Sequence, residues 1–214
     1  MWEPVREKIE QLKQLDAQCQ SFGAEHHRYG MGEPLSADDI SAVENRLGCA
    51  LPDELARFYR EIGNGVVGPN YGTVPAASLF LEDARYIYVG EQGCGHQTFI
   101  NASGQKTNMI AYYDLDEAAF FDTATSFLAY YEQWLDGELA AFREAKRLID
   151  SGLSAGAIAL ALSQTHQRHD GRDLVASIIN ASKPVELIGK NGKRIYHGAK
   201  QNPWYETVLE KYRR

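Results

Sequence analysis

Near Leu79 the hydrophobic period of this chain changes, and that change limits the fold more than any other feature. Up to Ile62 the apolar side chains recur at the spacing of helix faces. From Leu79 to Tyr113 they fall in short β-branched and aromatic runs, YIYVGE, QTFIN and KTNMIAYY, cut by glycine turns at Gln92-Gly93-Cys94-Gly95 and Ser103-Gly104. Connections this short join antiparallel neighbours, since a parallel pair needs a crossover of about a dozen residues or more. The pattern predicts an α+β protein, with helices packed on a mostly antiparallel β-sheet.

The local signals place the other elements. Val5, Ile9, Leu12, Leu15 and Cys19 follow Pro4 at helical spacing and predict an amphipathic helix ending near Gly23, before a glycine-rich linker, GAEHHRYGMGEP. Ser36 and Asp39 form a capping-box pattern ahead of a helix on Ile40, Val43 and Leu47, which Gly48 closes. Pro52, Asp53 and Glu54 open a third helix, whose stripe of Leu55, Phe58, Tyr59 and Ile62 stops at Gly63. After the strands, an acidic loop from Asp114 to Asp122 leads to a helix near Thr125 carrying Phe127, Leu128, Tyr131, Trp134 and Leu135. Gly137 leaves open whether that helix continues through Leu139, Phe142 and Leu148. Helices from Ser154 and near Arg172 to Ala181, a hairpin VELIGKNGKRIYHG turning at Asn191-Gly192, and a helix from Pro203 complete the pattern. The expected organisation is an N-terminal helix and linker over 1–35, an α+β domain over 36–145, and a basic extension of helices and a hairpin over 146–214.

Charge is unevenly spread. Residues 36–145 carry 6 Lys/Arg against 17 Asp/Glu, whereas residues 146–214 carry 12 against 6. An acidic middle section repels nucleic acid and the anionic membrane face and accelerates encounter with a basic partner. The longest apolar run, Ala157 to Leu162, is far short of the roughly 18 residues that cross a bilayer. The first residues, MWEPVREKIEQLKQLD, are too charged for a signal peptide. The expectation is a cytoplasmic protein without a membrane or nucleic-acid partner. Three scattered cysteines, Cys19, Cys49 and Cys94, fit neither a disulfide framework nor a four-ligand zinc site, so no metal or cofactor is expected.

Catalytic strings occur, but in the wrong surroundings. Gly63-Asn64-Gly65-Val66-Val67-Gly68 matches GxGxxG, yet a helix precedes it where dinucleotide binding requires a strand. Gly152-Leu153-Ser154-Ala155-Gly156 matches a nucleophile elbow, and Asp170 or Asp173 with His197 supplies the order of a hydrolase triad. An elbow needs a strand feeding the serine, whereas AFREAKRLID forms helix, so Ser154 reads as an N-cap. His166 and His169 lack further ligands for a metal.

The segment Glu44 to Gly65, ENRLGCALPDELARFYREIGNG, resembles the signature of the SUKH superfamily of Smi/Knr-type domains. In that signature a glutamate, a Leu-Gly, a Leu-Pro, an aromatic and a final Asn-Gly recur at this spacing. Tyr88-Val89-Gly90-Glu91-Gln92-Gly93-Cys94-Gly95, two further strands and the helix at Ser126 to Asp136 resemble the rest of that domain. The resemblance implies helices on an antiparallel sheet and structural roles for Glu44, Leu51, Pro52, Phe58, Asn64, Gly65, Gly93, Gly95 and Trp134. It also implies a non-enzymatic binder: members are known as bacterial immunity proteins that neutralise toxins, as a protein-export-associated protein and as fungal cell-wall regulators.

A toxin-neutralising binder is therefore the expected function, with a cognate toxin as partner, ahead of a regulatory or scaffold protein and, third, a hydrolase using Ser154. Inhibition of a basic toxin domain needs exposed carboxylates and aromatic anchors. The residues offered for that role are Asp114, Asp116, Glu117 and Asp122 with Tyr112, Tyr113, Phe120 and Phe121, and then Glu82, Asp83 and Glu91.

Overall fold

The computed structural model describes residues 2–17, 19, 21, 23–93 and 96–151. The described residues fall into two compact units, one within 2–10 and 26–136, the other within 11–25 and 137–151. The predicted helices from Ser154 onward, the hairpin at Asn191-Gly192, the histidines 166 and 169, and Cys94 and Gly95 lie outside the described residues. No helix among the described residues is long and apolar enough to cross a membrane.

The first unit is an α+β assembly. Along the chain the helices are α1 (Glu3–Leu15), α2 (Ala24–His27), α3 (Ala37–Leu47), α4 (Asp53–Glu61) and α5 (Phe127–Asp150), and the strands are β1 (Leu81–Glu82), β2 (Tyr86–Gly93), β3 (His96–Asn101), β4 (Met109–Asp114) and β5 (Ala119–Ser126); the first unit holds all five strands, α3 and α4, and only part of α1, α2 and α5. The strands pair antiparallel throughout, in sequence order, as a five-stranded meander. Local chemistry sets the helix ends. The Ser36 hydroxyl accepts the Asp39 N–H at 3.1 Å while the Asp39 carboxylate accepts the Ser36 N–H at 2.9 Å, a reciprocal cap for α3. Glu54, in the first turn of α4, accepts the Leu128 N–H at 2.7 Å and so places a carboxylate at the positive end of α5.

Three elements differ from the sequence reading. α1 ends at Leu15, well before Gly23, and the linker contains the helical turn α2. The segment from Asp114 to Asp122 is a β-hairpin: the Asp114 carboxylate accepts the N–H groups of Asp116 and Glu117 at 2.8 and 3.2 Å and folds the chain back into β5. The sheet therefore extends to Ser126, and α5 starts at Phe127, close to the expected start near Thr125, and carries Phe127, Leu128, Tyr131, Trp134 and Leu135 as expected. Gly137 does not stop α5, which continues to Asp150.

The centre of this unit is aromatic. Trp2 is fully buried and meets Phe58, Phe127 and Tyr131 at ring-centroid distances of 5.5, 5.9 and 5.7 Å. Its indole N–H has no hydrogen-bond partner among the described residues. Trp134 is half-buried, edge-on to His27 and Tyr131. The Tyr131 hydroxyl donates to the Val67 carbonyl and contacts the Thr73 hydroxyl, and burial holds it protonated far above the usual phenol range.

The residues of the GxGxxG string join two backbones. N–H groups of Asn64, Gly65 and Val66 donate to the carbonyls of Glu33, Met31 and Gly30 at 2.8, 2.6 and 3.1 Å. The Asn64 side-chain carbonyl accepts the Ala76 N–H at 2.7 Å, and Glu44 accepts the Leu51 N–H at 2.9 Å. Arg46 donates to the carbonyls of Leu79 and Ala76 at 2.8 and 2.7 Å, which ties α3 to the segment entering β1.

In the second unit, the Ser21 N–H donates to Asp16 at 2.9 Å, and Arg147 makes two hydrogen bonds of 2.7 Å to Glu144. Leu139 and Phe142 are buried.

A side chain at Gly65 would run into the Gly30 carbonyl and the Met31 backbone, whereas one at Gly137 would meet nothing within 4 Å. Gly65→Ala should lower the unfolding free energy by about 2 kcal/mol or more. Gly137→Ala, at an open position inside a helix, should raise it by up to about 1 kcal/mol. Urea titrations of the two variants check both signs.

Candidate functional site

Strand pairing sorts the sheet's side chains onto two faces, because directly opposed residues of antiparallel strands share a face. Ile87, Ile100 and Ile110 form one cross-strand row and are fully buried. Thr98, Tyr112 and Phe121 form a second row on the same side. There Tyr130 of α5 hydrogen-bonds with Thr98 and Gln92, and burial first, then the neighbouring Tyr112, holds the Tyr130 hydroxyl protonated above the usual phenol range. This is the face the helices cover.

The other face carries rings. Tyr88, Phe99, Ala111 and Asp122 form one row, and Glu91, Gln97, Tyr113 and Phe120 another, while Glu82 pairs with Tyr86. Phe99 is buried at the centre, with centroids of Phe120, Tyr88, Phe80 and Tyr113 at 5.0, 5.5, 6.1 and 6.5 Å. Phe80 stacks on Tyr88 at 4.8 Å and Tyr86 on Phe120 at 4.0 Å. Aromatic pairs in such geometries contribute about 0.5–1.5 kcal/mol beyond area burial. Phe80 is still 41% exposed, and Tyr88, Tyr113 and Phe120 are half-buried. Burial and the Glu91 carboxylate both raise the pKa of the Tyr88 hydroxyl, which places that carboxylate within electrostatic reach of the ring.

Charges occupy one side of this face. The Arg85 guanidinium lies 4.8 Å from the centroid of Tyr86, donates to Asn101 at 2.8 Å and pairs with Asp122 at 2.8 Å. Lys106 pairs with the same carboxylate at 2.9 Å, and Asn101 and the Tyr86 hydroxyl both donate to it at 3.2 Å. Partial burial opposes ionisation of Asp122, but the Lys106 ammonium, the Asn101 amide and the Arg85 guanidinium outweigh it and hold the carboxyl below the usual range.

The proposed binding residues thus fall in three places. Asp116 and Glu117 are exposed at the hairpin tip, with Asp114 partly buried beneath them, its carboxylate 3.8 Å from His96 Nδ1. Glu82, Asp83 and Glu91 are exposed along β1 and β2, and Glu82 and Glu91 share the aromatic face with Phe120. Tyr112 turns to the helix-covered face, and Asp122 is only 17% exposed and held by four internal partners. Phe80, Tyr86, Tyr88 and Phe99 were not among the expected site residues; their signal is the alternation of Tyr86 and Tyr88 within one strand. Among the described residues no group of three or more His, Cys, Asp or Glu side chains could hold a metal ion.

Helices on one face of an antiparallel sheet and an acid-rimmed aromatic surface on the other make this a domain of the α+β class. Residues 34–133 match the family model described as SMI1 / KNR4 family (SUKH-1), and this segment is a SUKH-superfamily domain. Domains of that family are generally non-catalytic, protein-binding modules of the immunity type. No curated protein and no solved structure matches the chain significantly.

Asp122→Asn should lower the unfolding free energy by about 2 kcal/mol at pH 7, through lost charge-assisted hydrogen bonds. Because the folded pKa is depressed, the carboxylate's contribution is complete above the unfolded chain's value, near 4, and is lost as pH falls through the folded value. The gap between wild type and variant should therefore close below about pH 4, as measured by urea unfolding across pH.

Proposed function

We propose that this chain is a cytoplasmic immunity protein that neutralises a basic, nucleic-acid-targeting toxin domain by direct binding, with no catalytic step. The observation that carries the reading is the acidic excess of residues 36–145, 17 Asp/Glu against 6 Lys/Arg, on a SUKH domain. A cleft that binds phosphates is lined with Lys and Arg, so a carboxylate-bearing surface can both steer to it and cover it. The β4–β5 hairpin presents Asp116 and Glu117 to solvent on a turn organised by Asp114, and contributes to the long-range field without burying those charges. Such rim charges act mainly on association rate.

Co-purification with the full chain from its native host, followed by identification of the retained protein, tests the reading directly. A nuclease-like basic domain is the expected result, and a partner that is neither basic nor toxic overturns it. With that partner in hand, Asp116→Asn/Glu117→Gln should slow association about threefold to tenfold at low salt and leave dissociation nearly unchanged. At about 1 M salt, where screening acts over about 3 Å, the two association rates should converge.

A further inference from the structure

Resting on the reading above, we propose that the open face of the sheet is the surface on which the partner docks, and that it takes an arginine-bearing loop between the Phe80/Tyr88 stack and the carboxylates of Glu82 and Glu91. The fold already contains one guanidinium site of this kind. Arg85 lies over the Tyr86 ring at 4.8 Å and reaches Asp122 at 2.8 Å, so ring and carboxylate on this face together hold a guanidinium.

The same two components recur two residues along the strand, with no cation beside them among the described residues. Tyr88 stacks on the 41%-exposed Phe80, and the Glu91 carboxylate acts on the Tyr88 hydroxyl. Glu82, opposite Tyr86, and Glu91, opposite Gln97, form no side-chain hydrogen bond or ion pair among the described residues. Among the described residues, each ring–ring pair made by Phe80, Tyr86, Tyr88, Phe99, Tyr113 and Phe120 is with another of these rings. The face therefore offers aromatic area and uncompensated carboxylates together.

Charge selects the occupant. Nucleic acid would bring phosphates against Glu82 and Glu91. A second copy of the chain, docked by a two-fold axis, would set this carboxylate-bearing patch against an identical one. A planar guanidinium both stacks on the rings and presents parallel donors to a carboxylate, which an ammonium cannot do, so the occupant is arginine in preference to lysine.

The test uses the full chain and two synthetic peptides, acetyl-Gly-Arg-Gly-Arg-Gly-amide and its lysine counterpart, with aromatic-ring NMR shifts as the readout. The arginine peptide should shift the Phe80, Tyr88, Tyr113 and Phe120 rings saturably and bind at least about threefold more tightly than the lysine peptide. Phe80→Ser and, separately, Glu82→Gln/Glu91→Gln should each weaken binding about fivefold or more, while Glu33→Gln/Asp38→Asn, which removes the same charge from exposed positions elsewhere, should not. The glutamine pair alters only exposed side chains, so it remains informative if Phe80→Ser perturbs folding. Equal binding of both peptides, equal loss from the two charge-matched pairs, or shifts confined to other residues overturns the proposal. The same variants separate it from the functional reading. If the native partner is retained equally by wild type and by Glu82→Gln/Glu91→Gln, the docking face is wrong and the immunity reading stands. If the peptide maps to these rings but no toxin is retained by wild type, the arginine site stands and the immunity reading falls.

Discussion

Burial of one aromatic nucleus, Trp2 against Phe58, Phe127 and Tyr131, determines how the domain uses its sheet. These four rings come from the start of the chain, α4 and α5, and large rings bury more apolar area than any other side chains. With Tyr130, the residue before Tyr131 in α5, on Thr98, the aliphatic face of Ile87, Ile100 and Ile110 is the one that becomes core. The opposite face then has only its own rings to cover Phe99, and it does so incompletely.

Whether Glu91 reaches that second face is settled by one irregularity. Strand residues alternate sides, so Tyr86, Tyr88 and position 90 would share a side in a regular strand and Glu91 would point at the helices. The bulge between Tyr88 and Gly90 inserts one residue, pairs Gly90 with Thr98, and turns Glu91 to the side of Tyr88. A carboxylate that regular pairing would have buried is instead exposed beside an aromatic ring. Bulges often re-aim side chains next to functional sites, and this one has that effect.

Local chemistry made much of this legible in the sequence. The α3 cap, the α4 stripe and the strands β2 to β4 rest on contacts within a few residues, which composition and spacing record. The strand β5 was not legible, because AFFDTATS follows a cluster of acidic residues, and the turn that makes it a strand depends on one Asp114 oxygen accepting two N–H groups. Nor was the role of Trp2, whose neighbours are 56 to 129 positions away in the chain. The site was half legible. Exposed carboxylates follow from composition, but Tyr112 and Phe120 fall on opposite faces because of pairing across the hairpin, and Asp122 is enclosed by Arg85, Asn101 and Lys106 from three separate segments.

The carboxylate of Glu54 caps α5 from the first turn of α4, while the Glu54 N–H donates to Asn108 at 3.0 Å. One residue thus links segments 54 and 74 positions apart. Distant pairings of this kind form slowly, since loop closure must precede any gain from the contact. During synthesis, the finished α4 and most of the meander would wait with an unpaired helix-capping group until Phe127 and Leu128 had emerged. The cap on α5 can close only once Leu128 is present, and until then the rings of a partly made chain would be open to contact with other molecules in the cell.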